Sequence, residues 1–440
     1  MQIPDNWGQW LTRSRAGLEA VRGRIRSVFE WLWAPERRRI SLAAGAALAT
    51  CCLGLALYAF LHRPGDVSQG AESEFNASEV PNRALESWSI YGLDDARTRY
   101  LPTSEVDPPF SVRWRFHARS LLEYSPVMVD GVVYGVSNDG EAFALARDTG
   151  AVIWRRKVSR LNASSPTFKD GRLYTVSLEP GSVQALSAET GKTLWRRKLP
   201  GRSESSPVIA DDLVIFGCEN GQLFALDAGT GKTEWKAEIG GAIKGAPARL
   251  NETIYVAAYG GILKALRLRD GSEVWSSGSQ SGGLTGVGNF YATPTVAFGR
   301  VYVGNTDGRM YSFERSSGHL AWSRSTGAYI YSAAVAANTP KTRPTVYFGS
   351  YDGRLYALDA KTGRVRWSKP AGGAVSGAGS LIGSTLYISN LRWTSTAGFD
   401  PKTGRRKFAF PDGAYNPAIS DGKWLILTGK KTIYGLEPKP

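Results

Sequence analysis

The sequence predicts an all-β protein, an eight-bladed β-propeller of four-stranded antiparallel blades closed by an N-terminal strand and preceded by one transmembrane α-helix. Three observations predict it. The first is a repeat. Gly353 to Trp367 and Gly221 to Trp235 share the pattern Gly-x-Leu-Tyr/Phe-Ala-Leu-Asp-Ala-x-Thr-Gly-x-x-x-Trp, and looser copies end at Trp154, Trp195, Trp275, Trp322 and Phe408. The spacings between these aromatics are 41, 40, 40, 47, 45 and 41 residues. A period near 40 with four short apolar runs per unit describes an array of small sheets rather than one large core. The second is turn chemistry, since Asp139-Gly140, Asn220-Gly221, Asp307-Gly308 and Asp352-Gly353 stand at one place in the repeat. The third is the uncharged run of 22 residues from Ile40 to Leu61.

Each repeat divides into four strands. In the third unit, Ser206 to Ala210 is followed by Leu213 to Gly217, Gln222 to Asp227 and Lys232 to Ile239, with tight turns between them. Strands of five or six residues joined by Asn-Gly, Asp-Gly and Thr-Gly turns make an antiparallel meander. The glycines there supply positive φ without steric cost. The first strand of each unit is small (Ser125-Pro126, Ser165-Pro166, Ser206-Pro207, Ala246-Pro247, Thr293-Pro294), as convergence on an axis requires. Seven units are complete. An eighth starts at Asn416 and stops after Leu436 without a fourth strand, while Val112 to Phe116 has the fourth-strand pattern and no unit of its own. Trp114 precedes Trp154 by 40 residues, so residues 112–117 are expected to complete the last blade and close the ring.

Upstream, the chain divides into a basic amphipathic segment (1–39), a membrane helix (40–62), a flexible polar stalk (63–85) and the propeller (86–440). Leu11, Leu18, Ile25 and Leu32 recur every seven residues, with arginines largely off that stripe, as in a helix lying on a membrane surface. A soluble helix packing on itself has the same pattern. At 1.5 Å per residue the following apolar run is long enough for a hydrocarbon core of about 30 Å. Eight arginines precede it, which places the N-terminus in the cytoplasm and the propeller outside, at the cell membrane. Cys51 sits where a weak lipidation box leaves acylation open.

The chain carries a net charge of +15, of which residues 64–440 hold +10. Such a surface suits solution, or attraction to anionic lipid and envelope polymer. No arginine-rich run or RNA-binding signature points to nucleic acid. The three cysteines, Cys51, Cys52 and Cys218, cannot frame a disulfide network or thiolate metal site within the propeller. His62, His117 and His319 are scattered, so neither a histidine metal site nor a histidine-based triad is expected.

The Ala-x-x-Thr-Gly-x-x-x-Trp segments at Ala188–Trp195, Ala228–Trp235 and Ala360–Trp367 resemble the quinoprotein (PQQ-type) β-propeller repeat. Trp88 to Gly92 with Arg97 to Tyr100 looks like the lead-in before the first blade of quinoprotein alcohol dehydrogenases. The resemblance implies that Trp114, Trp154, Trp195, Trp235, Trp275, Trp322 and Trp367 dock neighbouring blades. It also implies two opposed functions. The dehydrogenases hold pyrroloquinoline quinone (PQQ) and calcium over the axis, commonly beside a vicinal disulfide. BamB-like relatives keep the repeat and lack the cofactor. Here the only Cys-Cys pair lies in the apolar run, the propeller is short of long insertions, and no segment matches the calcium or catalytic motif. These departures favour the non-enzymatic branch, with no catalytic residue, metal or cofactor expected.

Aligning the units three residues before the proline places Glu123, Glu204, Lys244, Tyr291 and Tyr331 around one mouth of the axial channel. Two carboxylates and a lysine there suit a cation or a partner's loop, and equally a solvated rim of compensating charge. The Gly/Ser-rich insertion at 276–289 is read as a lip over one face, or as a tolerated surface insertion. The function expected is a membrane-anchored, monomeric, extracytoplasmic scaffold that binds protein or anionic envelope components. A PQQ/calcium oxidoreductase, or a degenerate relative, is the alternative. A third reading is a ligand sensor signalling through the membrane helix.

Overall fold

The computed structural model describes residues 24, 26, 38–61, 65–68, 74–79, 87–102, 105–280, 287–416 and 418–439. Most of the amphipathic segment at 1–39 and the centre of the 276–289 insertion lie outside them. Within residues 65–281 and 287–440, which form one compact unit, the repeats fold into eight sheets about one axis. Blades 1 to 7 span 127–157, 167–198, 208–238, 248–278, 295–325, 335–370 and 380–410. Each is a four-stranded antiparallel meander. Blade 8 consists of strands Ala418–Ser420, Leu425–Thr428 and Thr432–Pro438, completed by Phe110–His117. Trp114 lies opposite Gly435 and Arg115 opposite Tyr434, so the expected closure forms. The first strands of neighbouring blades touch in a ring that includes the contact of blade 8 with blade 1.

The repeat residues meet at the blade joints. In seven joints an indole N–H donates to a carbonyl of the next blade. Trp114 reaches Arg147, Trp154 Ala188, Trp195 Ala228, Trp235 Leu268, Trp275 Arg315, Trp322 Ala360 and Trp367 Pro401, at 2.6–3.1 Å. Three residues after each acceptor comes the Thr-Gly turn glycine or its counterpart, with φ of 67–73°. A Cβ on any of these glycines would sit 2.5–2.8 Å from the docked indole. Glycine therefore provides both the left-handed turn and a flat seat for the ring. Every outer strand pair also slips register beside its aromatic. Such a bulge adds local twist and re-aims a side chain, here toward the next blade.

Residues 88–101 plug the axis. Trp88 pairs with Met128 of blade 1, and the carbonyls of Ser89, Asp95, Ala96, Thr98 and Arg99 accept from Phe168, Arg249, Val296, Ala336 and Leu381, each on a different blade. Arg97, fully buried, donates to the Pro207 and Pro247 carbonyls at 3.3 and 3.0 Å. Burial and then the charge of Arg99 lower the Arg97 pKa to about 10, which leaves it charged at neutral pH. Tyr100–Leu101 adds a parallel strand to the inner edge of blade 7. This segment has no periodicity and was read from sequence only as a lead-in.

The stalk expectation needs correction where the chain is described. Asp66 accepts from Arg324 at 2.7 Å, Arg309 at 3.1 Å and the Ser325 amide at 2.9 Å. Val67 pairs with Ser323, and Glu79 bridges Arg315 at 2.9 Å. Residues 66–67 and 74–79 are thus strapped to blade 5, because an acid in a polar stretch found two arginines on a blade rim. Burial raises the Asp66 pKa, yet the Ser325 bonds and the two arginines outweigh it and hold the carboxyl below its ordinary value.

The apolar run forms helix α1 (Arg38–Leu61), on which Leu48, Leu53 and Leu57 are exposed. Its side chains are described only at 42–55, 57 and 58, and among the described residues no helix is long and apolar enough to cross a membrane. Cys51 and Cys52 are free and exposed in α1, and Cys218 is free and buried in blade 3.

The joint geometry predicts a sharp contrast between two nearby glycines. Gly231→Ala, forced to φ near 70° under the Trp195 ring, is expected to cost about 2–3 kcal/mol. Gly229→Ala, at ordinary φ in the same turn, is expected to stay within about 0.5 kcal/mol of the parent. Urea denaturation of both variants checks the difference.

Candidate functional site

The loops leading into the first strands share one face with the hairpin tips between the second and third strands. Backbone bonds tie the two sets together: Glu219 N–H donates to Arg202, Tyr259 to Ala242, and Tyr351 to Tyr329. This arrangement brings Glu123, Glu204, Lys244, Tyr291 and Tyr331 to one mouth of the channel. The mouth has two sectors.

The charged sector centres on Lys244. Its ammonium donates to Glu204 and, at 2.8 Å, to Glu219. The second oxygen of Glu204 accepts from the Tyr291 hydroxyl at 3.4 Å. Glu204 is buried, and burial pushes its carboxyl above the usual range despite the pull of Lys244. Burial also works against the charge of Lys244, but the bonds from Glu204 and Glu219 win and raise its pKa. Glu123 accepts from Asn138 at 3.2 Å and stands apart from the lysine. Burial, then the Glu204 charge, pushes its pKa up.

The second sector is aromatic. Tyr291 and Tyr331 meet edge to face at 4.8 Å, and Tyr331 meets Tyr351 at 4.9 Å. Tyr259 and Tyr329 flank them at 6.3 and 6.0 Å. Such pairs fix ring geometry and add to area burial. Glu219, Tyr259 and Tyr351 were missed because only one row of aligned positions was followed. Their signal was available, since all three stand two residues before a glycine of a hairpin tip, and those tips fall on the same face.

Below the rim the funnel is blind. Tyr91 of the plug packs edge-on against Tyr124 at 5.5 Å, and its hydroxyl donates to Asn416 at 3.3 Å. The cavity between rim and plug measures about 50 Å³, room for a few waters. Ordinary small-molecule sites are ~300–1,000 Å³, several times this cavity. Among the described residues no group of three or more His, Cys, Asp or Glu is placed to hold a metal. The geometry instead offers a shallow cup, with a compensated ion pair on one side and tyrosine edges and hydroxyls on the other.

A family model described as outer membrane protein assembly factor BamB matches residues 105–239 and 179–410. No curated protein sequence matches the chain. Among solved structures it is similar to BamB from Moraxella catarrhalis, at 18% identity and TM-score 0.61, covering 76% of this chain and 98% of that one. It is also similar to the quinohemoprotein alcohol dehydrogenase ADHIIG from Pseudomonas putida HK5, at 13% identity and TM-score 0.69 over 80% of each chain. The quinohemoprotein alcohol dehydrogenase from Comamonas testosteroni gives 15% identity and TM-score 0.66 over 81% of each chain. At these identities the likeness is one of fold.

Two outcomes test the electrostatics of the mouth. Lys244→Met leaves the Glu204 carboxylate buried without its cation and is expected to cost about 3 kcal/mol, with part of the loss recovered by adding Glu204→Gln. The folded chain holds protons on Glu123 and Glu204 at pH values where the unfolded chain, with carboxyls near ~4.3, has released them. Their contribution to stability therefore falls as pH rises above about 4.3 through the raised values. Glu123→Gln is expected to flatten that slope in denaturation midpoints measured across pH.

Proposed function

Since the chain belongs to the family of the outer membrane protein assembly factor BamB, we propose that it is a tethered, extracytoplasmic propeller that binds other proteins and catalyses no reaction. The observation that carries this reading is the blind, shallow cup at the channel mouth. Its rim carries tyrosines, which anchor protein contacts, beside a charged pair that suits electrostatic register with a partner. A cup of this depth suits a loop or chain end of a partner better than an enclosed substrate. The basic surplus of residues 64–440 favours acidic partners or anionic envelope components. Residues 40–62 are proposed as the single membrane span, with the N-terminus in the cytoplasm, on the strength of the sequence alone: an uncharged run of 22 residues, of which the described side chains cover only part, and the arginines before it.

A second reading, a quinone- and calcium-dependent oxidoreductase, draws on the fold likeness to the two alcohol dehydrogenases. Fold likeness does not fix activity.

Crosslinking in whole cells followed by pull-down tests the first reading. A Glu123→Ala/Glu204→Ala/Lys244→Ala variant is expected to capture its partner about ten-fold less than the parent, as loss of an anchor cluster does. Capture that persists unchanged would remove the mouth from the proposal. Titration with quinone and calcium, followed by absorbance and dye reduction, is expected to give no change, and turnover would establish the second reading. Deleting residues 40–62 is expected to move the chain from the membrane to the soluble fraction.

A further inference from the structure

Blade 7 departs from the repeat in two places that adjoin. The first is inside the blade joint. In each blade one third-strand residue, just before the partner of the terminal aromatic, occupies an equivalent register position. Five blades carry a ring there, namely Phe143, Phe224, Tyr311, Tyr356 and Tyr434, and two carry the long side chains Gln184 and Lys264. Blade 7 carries Ala397, and its cross-strand partner is Ala409. Two methyl groups stand where a ring or a long chain is the rule. A cavity of about 440 Å³ opens there between Pro370–Gly372 of blade 6 and blade 7, within the ordinary range of ligand pockets, ~300–1,000 Å³.

The second departure is the hairpin tip above it. Where blades 1, 3, 5 and 6 turn through Asp-Gly or Asn-Gly, blade 7 uses Leu391 to Thr394, a tip without glycine. Asn390 fixes this tip by accepting from the Trp393 amide at 2.9 Å and donating to the Ser395 hydroxyl at 2.9 Å. Trp393 is 66% exposed, the one tryptophan among the described residues left open to solvent. Its ring lines the cavity together with Phe410, Pro370 and Pro411. Arg392 lies over the Trp393 ring at 5.1 Å, and Arg406 reaches the cavity wall. Neither guanidinium has a carboxylate partner among the described residues. A rigid open indole beside an apolar hole is the form of an interface anchor, and two uncompensated arginines at its lip select negative charge.

We propose that the joint between blades 6 and 7 is a second binding site, which takes an acidic extended peptide segment by one bulky apolar side chain. The side chain enters the space left by Ala397, Trp393 covers it, and Arg392 and Arg406 pair with flanking acids. This site is separate from the axial mouth, so either can fail without the other.

The test uses the full chain in detergent micelles and a fluorescein-labelled acidic peptide with one central phenylalanine, read by anisotropy. Ala397→Phe restores the ring that other blades carry and fills the hole. It is expected to weaken binding about ten-fold or more while leaving the melting temperature near that of the parent. Trp393→Ala, at an exposed tip, is expected to do the same, and it carries the test if Ala397→Phe fails to fold. Exchanging the peptide phenylalanine for alanine, or its acids for lysines, is expected to abolish binding. The Glu123→Ala/Glu204→Ala/Lys244→Ala variant is expected to bind the peptide as the parent does. The proposal is overturned if Ala397→Phe or Trp393→Ala binds unchanged, or if the phenylalanine and alanine peptides bind alike. It is likewise overturned if only phosphatidylglycerol vesicles, and not the peptide, bind in a Trp393-dependent way.

Discussion

The indole resting on a glycine of the neighbouring blade is the contact on which the molecule depends. A four-stranded sheet of this size buries too little apolar surface to stand alone. The seated ring covers the face of one sheet with the edge of the next, and its N–H donates to a carbonyl of the neighbouring turn. The same short segment receives a ring from one side and sends its own ring to the other, which explains why Ala-x-x-Thr-Gly-x-x-x-Trp recurs as a block. One joint does without. Between blades 7 and 8, Phe408 meets Phe110 edge-on at 5.5 Å and Phe410 meets Tyr434 at 4.8 Å, so packing of rings replaces the indole bond. That joint is where strands from distant parts of the chain come together.

Much of this architecture was legible in the residues. Alternating apolar runs bounded by Asp-Gly and Thr-Gly mark strands with little ambiguity, and the observed strands Val208–Ala210, Leu213–Gly217, Gln222–Asp227 and Thr233–Glu238 fall where the third repeat places them. The unpaired fourth-strand pattern around Trp114 was enough to specify ring closure. The axial plug was not legible, because it is irregular backbone held by partners on six blades and leaves no period in the sequence. Asp66 hid for a related reason. A single acid in a polar stretch reads as linker until the two arginines that hold it are brought near by the fold. At the mouth, alignment on one row of positions gathered Glu123, Glu204, Lys244, Tyr291 and Tyr331, but Glu219, which shares Lys244, belongs to a different row.

The plug changes what the mouth can be. An open channel through eight blades would admit solvent from both ends and present a ring of equivalent positions. Closing one end with residues 88–101 makes a cup with a floor and brings Tyr91 and Asn416 under the rim. The eight repeats then cease to be equivalent, since only some of them supply a charged or aromatic group to the lip. Blade 7 breaks the equivalence again on the outer side, where a small residue and an exposed indole replace a filled joint.

The pairing of Phe110–His117 with Thr432–Pro438 has a consequence for how the ring is made. The ribosome delivers the first of these strands some three hundred residues before its partner exists. Throughout synthesis and any export, Phe110–His117 and the plug strand beside blade 7 must wait without their final neighbours, and each finished blade offers a bare edge to whatever lies nearby. Ring closure is therefore gated by the synthesis of Thr432–Pro438. A chain cut short before residue 432 is an opened necklace rather than a slightly smaller disc.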